Sequence, residues 1–183
     1  MRSPIALRSG EKRDTAMGIS LSICTLSEKR EAMLRDDPSL VWALDAKVPG
    51  FLGIGKAWDA LRVAVKPFDT DDLLEKLFAG SLGKAFGEAG SFGKPRIVST
   101  DELAQLAEAL DEVPSRFMQD RVNILRGTEV HGDFFKIDED LDEGEDDPDM
   151  MAQLESLETG FERVRNLVKG AVTRGETLLV VVR

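Results

Sequence analysis

Met151, Leu154, Leu157, Phe161, Val164, Val168 and Ala171 recur at steps of three and four, the spacing that lines side chains along one face of an α-helix. The pattern predicts a helix from about Asp149 to Arg174, roughly 40 Å long at 1.5 Å per residue. Its first half carries Glu155, Glu158 and Glu162, and its second half Arg163, Arg165, Lys169 and Arg174. That order opposes the partial charges at the two helix ends. Gly175 stands where a left-handed C-cap residue is wanted. Beyond it, Thr177, Leu178, Leu179, Val180, Val181 and Val182 form an unbroken run that reads as a strand covered on both faces. The two elements together predict an amphipathic rod lying on a sheet with this last strand in its interior.

The rest of the chain is arranged around that pair. Ile19, Leu21 and Ile23 alternate with Ser20, Ser22 and Cys24, which predicts a half-buried strand with Cys24 on the more polar face as a small packing residue. A short helix follows Ser27 to about Arg35, and Asp36-Asp37-Pro38 ends it and starts another through Leu44. After Val48-Pro49-Gly50, the positions Ile54, Ala57, Trp58, Leu61 and Val65 make a helical stripe stopped at Lys66-Pro67. Asp69 or Thr70 caps a helix burying Leu73, Leu74, Leu77 and Phe78. Residues 80–95 hold five glycines without periodicity and read as a loop, and Arg96-Ile97-Val98 as a short strand. Ser99-Thr100-Asp101-Glu102 has the form of a capping box ahead of Leu103, Leu106, Ala107 and Leu110. Pro114 is expected to open a helix carrying Phe117, Met118, Val122 and Leu125. Residues 127–149 lack a period and read as a surface excursion.

Composition narrows the class. A chain of 183 residues with 42% hydrophobic residues buries a core without covalent staples. One cysteine excludes an internal disulfide framework and suits a reducing compartment, so the cytoplasm is expected. Residues 1–16 read as a disordered extension, with Met17-Gly18 opening a single domain over 17–183. No stretch has the length of a membrane span. The net charge of −10 is local: nine of the 34 acidic residues lie in the loop 138–149, leaving 25 against 24 basic ones elsewhere. Nucleic-acid binding needs a basic footprint, and no Lys or Arg cluster supplies one.

Several motifs approach known chemistry and stop short. Gly50-Phe51-Leu52-Gly53-Ile54-Gly55-Lys56-Ala57 follows the phosphate-loop pattern until Ala57 replaces the magnesium-binding hydroxyl, so a turn leading into the helix of Trp58 is the better reading. The glycine run with Lys84 and Lys94 can cradle an anion, although a flexible loop is the commoner meaning. Asp138, Asp140 and Asp142 begin like a calcium loop, yet Glu143 stands where glycine is required and Asp149 where a bidentate glutamate belongs. His131 is the only imidazole, which excludes a multi-histidine metal site and leaves a dyad with Cys24 without sequence support. Neither metal nor cofactor is expected.

Gly18-Ile19-Ser20-Leu21, Lys56-Ala57-Trp58, Gly93-Lys94-Pro95-Arg96, Ser99-Thr100-Asp101-Glu102-Leu103 and Arg174-Gly175-Glu176 with the closing strand, in this order, resemble the bacterial YfbM-like family of unknown function. The chain departs from that family at Gly53 and Gly55, where acidic residues are usual, at Asp59 in place of histidine, and around Val130-His131-Gly132 in place of an aromatic Tyr-Pro segment. The resemblance implies an α+β fold, a small mixed sheet covered by about six or seven helices, and no activity. Expectation then divides. A non-catalytic binding or interaction domain, of the immunity or regulatory kind, would meet a protein partner through the acidic loop or through a groove at Lys56, Trp58 and Arg96. The alternative is a hydrolase or transferase holding an anionic ligand with Lys56 and Arg96 beside Asp59 or His131.

Overall fold

The computed structural model describes residues 19–121, Leu125 and residues 148–183. The expectations for residues 1–18, for His131 and for the acidic loop up to residue 147 lie outside the described residues.

Five strands, β1 (Leu21–Leu26), β2 (Phe51–Gly55), β3 (Lys84–Ala85), β4 (Arg96–Val98) and β5 (Thr177–Val182), form one sheet in the order β2-β1-β5-β4-β3. The described helices are α1 (Glu28–Asp36), α2 (Trp58–Val65), α3 (Leu73–Phe78), α4 (Thr100–Glu112) and α5 (Pro148–Arg174), with 3-10 turns at Pro38–Ala43, Lys66–Phe68 and Gln119–Arg121. The fold is α+β, with a long helix leading into an interior terminal strand. Every pairing is antiparallel, which corrects the expectation of a mixed sheet. β1 and β4 run in the same direction, but β5 inserts between them, so no parallel pair forms.

β5 is buried from Leu178 to Val181 because the two faces of the sheet carry separate cores. Leu21, Ile23, Leu178 and Val180 face α2 to α5. Cys24, Leu26, Leu179 and Val181 face Leu34 of α1 and Val41 of the first 3-10 turn. β1 is therefore buried along its whole length, not half-buried. Its Ser22 and Cys24 do not advertise this, because the cover comes from α1 and the following 3-10 turn folding back over the strand.

α5 carries the predicted stripe with one change. Met150 is buried and Met151 is 39% exposed, since the alternation of four and three that runs through Leu154, Leu157 and Phe161 extends back to position 150. Phe161 meets Phe117 at 4.8 Å and Phe78 at 6.4 Å between ring centroids. Arg165 binds the carbonyls left without an intrahelical partner at the end of α4, with Nε donating to Leu110 O at 3.0 Å and the guanidinium also reaching Val113 O. At the C-terminus of α5, Gly175 has φ +65°, and the Glu176 N–H donates to Ala171 O at 3.0 Å, which closes the helix as the glycine predicts.

Three other predictions change. Phe51–Gly55 is a strand, not a turn leading into the helix of Trp58, and Ile54 lies outside the helical stripe because α2 begins at Trp58. The glycines at 50, 53 and 55 conceal the alternation that would have marked it. The glycine-rich loop contains β3, which pairs Lys84 with Ile97 and Ala85 with Arg96. No α-helix starts at Pro114, because Arg116 takes φ 63°, a left-handed conformation that cannot continue a right-handed helix. Phe117 and Met118 are nevertheless buried. The capping box of α4 forms as predicted, and Asp69 accepts the N–H groups of Leu74 and Glu75 at the start of α3.

Candidate functional site

A cleft of about 370 Å³ opens where the start of β1, the end of β5, the C-terminal end of α3 and the loop before β4 meet. Its apolar walls include Leu21, Trp58, Phe78 and Val182, its charged residues are Lys94 and Arg96, and Phe92 stands at its edge, 44% exposed. The aliphatic and aromatic floor is a by-product of the core, since Leu21 and Phe78 belong to it. The charges come from the loop.

Two side chains fix the shape. The Trp58 indole N–H donates to Ile19 O at 3.2 Å, tying the start of α2 to the segment entering β1. The Arg96 guanidinium donates to Gly83 O at 2.8 Å, tying β4 to the beginning of the glycine-rich loop. Gly83 has φ +83°, and a Cβ there would lie 2.6 Å from Ile97 O, so the loop can pass this close to β4 only without a side chain. Arg96 is thereby oriented by the backbone of the loop that also delivers Phe92 and Lys94.

Of the four residues that the sequence proposed, the structure brings Trp58 and Arg96 to the cleft. Lys56 is exposed on the turn between β2 and α2 and does not line it. Asp59 is buried at 6% exposure and accepts from Arg62 Nε at 2.9 Å, while Arg62 also reaches Glu75. That carboxylate serves the α2–α3 contact. The two lysines of the glycine run separate: Lys94 lines this cleft, and Lys84 lines another beside Glu31, Arg35 and Glu102. Phe92 carried no periodic signal. Its place as an aromatic residue in the glycine-rich loop does not separate it from Phe86, which packs against the second core.

Of the other candidates, Cys24 is among the described residues. Cys24 is buried in the second core, and that burial, the dominant influence, pushes its thiol pKa up despite nearby Arg30, so the thiolate is disfavoured. Among the described residues no group of three or more His, Cys, Asp or Glu side chains is placed to hold a metal ion, and no helix is long and apolar enough to cross a membrane.

An antiparallel five-stranded sheet with helices massed on one face and a short helix with a 3-10 turn on the other defines the class of this protein. No family model and no curated protein matches the chain. Its fold is similar to the crystal structure of YfbM from Escherichia coli, itself described as a protein of unknown function, with a TM-score of 0.59 over 90% of this chain and 99% of that one. At 16% identity the likeness shows the fold alone.

Proposed function

We propose that this is a binding protein whose cleft takes a small amphiphilic anion. The carrying observation is that Lys94 and Arg96 stand beside an aromatic floor with no carboxylate among the residues lining the cleft. A flat apolar body would rest against Trp58 and Phe92, and a carboxylate or phosphate would meet the two cations, where charge-assisted hydrogen bonds are strong. Of the two groups named for the catalytic alternative, Asp59 and His131, the described one, Asp59, is engaged with Arg62 instead of lining the cleft, which favours a non-catalytic role over a hydrolase or transferase. A protein partner for the acidic loop 138–149 remains a separate part of the proposal.

The test uses 1-naphthyl phosphate and its neutral counterpart 1-naphthol. The two tryptophans, Trp42 and Trp58, give two indole N–H resonances, and 1-naphthyl phosphate should shift that of Trp58 and leave that of Trp42 in place. Lys94→Ala should weaken the phosphate by about tenfold, the effect of a lost charge-assisted contact of roughly 1.5 kcal/mol, and leave naphthol unchanged. Equal affinity for phosphate and naphthol, or an unmoved Trp58 signal, would refute the reading.

A further inference from the structure

A second concave surface lies on the opposite side of the sheet. α1 and the 3-10 turn Pro38–Ala43 enclose a groove of about 540 Å³. Its floor exposes Met33 at 53% and Leu40 at 38%, two of the six large hydrophobic side chains exposed among the described residues. Lys29, Arg30 and Lys47 stand around it, and no carboxylate belongs to its lining. In a chain of net charge −10, three cations around an apolar trough are a local reversal of the overall balance. Arg30 is set in place by the Thr25 and Pro49 carbonyls, at 3.1 and 2.8 Å, so part of the charged rim is ordered before anything binds.

We infer that this groove docks an acidic amphipathic helix of a partner protein. The occupant must bring apolar side chains for Met33 and Leu40 and carboxylates for Lys29, Arg30 and Lys47, because neither set alone matches the lining. The lining comes from α1, the 3-10 turn and the turns of residues 44–49, none of which is a strand, so the groove offers no free strand edge to an extended peptide. Recognition therefore runs through side chains, as it does when a helix enters a groove. α1 has nine residues, about 13 Å of helix, which matches two to three turns of the occupant. The unbranched Met33 side chain adapts to the anchor it meets. The trough is concave, which favours an inserted segment over a flat bilayer.

A labelled peptide of about 14 residues, four turns of helix, with leucines at i, i+3, i+4 and i+7 and glutamate predominating elsewhere, serves as the probe. It should bind saturably at low salt in fluorescence anisotropy and move the Met33 methyl resonance. Lys29→Glu with Lys47→Glu should weaken it by about tenfold or more, as reversal of rim charges does, and Met33→Asp should do the same through the floor. All three side chains are exposed, so the variants should melt like the parent chain and bind 1-naphthyl phosphate unchanged. The inference is overturned if a scrambled peptide of the same composition binds equally, if either variant leaves binding unaltered, or if phosphatidylserine vesicles bind and the peptide does not.

Discussion

Deleting residues 177–183 should abolish the folded state, not merely lower its stability. β5 is hydrogen-bonded to β1 along six residue pairs and to β4 along three, so its removal splits the sheet into two parts that share no other strand. Leu178, Leu179, Val180 and Val181 are all within 3% of complete burial, and their loss removes roughly 1.5–3 kcal/mol of burial apiece, about 6–12 kcal/mol together as an upper bound. Typical domains have a total stability of about 5–15 kcal/mol. The two newly opened strand edges and the uncovered faces of both cores add to the cost. Circular dichroism through a thermal ramp, with denaturant titration of the full chain for reference, measures the outcome. The deleted chain should show no cooperative transition. A graded companion, Leu179→Ala, touches only the smaller core and should cost about 2–5 kcal/mol while preserving cooperativity. A truncated chain that melts cooperatively with native-like helix content would refute the placement of β5 as the strand on which both faces depend.

Two further outcomes follow from single side chains. Arg165→Met removes the donors that satisfy Leu110 O and Val113 O and should lower unfolding free energy by about 2–3 kcal/mol, read from denaturant midpoints; a change within experimental scatter would mean that solvent satisfies those carbonyls equally well. Burial acts to raise the Glu31 carboxyl, but hydrogen bonds from Thr177 and Arg35, together with the charge of Arg35, outweigh it and hold the pKa below the ordinary 4.5. The unfolded chain then takes the proton first, so this contribution is complete above about pH 4.5 and is lost as pH falls through the lower folded value. The difference in melting temperature between the parent and Glu31→Gln should therefore shrink between neutral pH and about pH 3, and a difference that stays constant with pH would exclude this linkage.

Taken by itself, the amino-acid order determined whatever depends on neighbours within a few residues. The 4-3 spacing of α5, the glycine that ends it, the capping box of α4 and the apolar run of β5 are each set by local sterics and by side chains that must share one face. What lay beyond that range was decided by tertiary contact. β2 was hidden by glycines and exists because β1 offers it a hydrogen-bonding edge; Ser22 and Cys24 are buried because α1 and Val41 close over them; Arg116 stops a helix that Pro114 was expected to begin. The cleft divides the same way. Trp58 and Arg96 were chosen from local patterns, but their meeting with Lys94 and Phe92, and the withdrawal of Asp59 to Arg62, depend on loops folding across the ends of strands far apart in the chain. Distance along a sequence carries no direction in space, so a constellation assembled from five separate segments becomes visible only once the sheet has fixed where each segment ends.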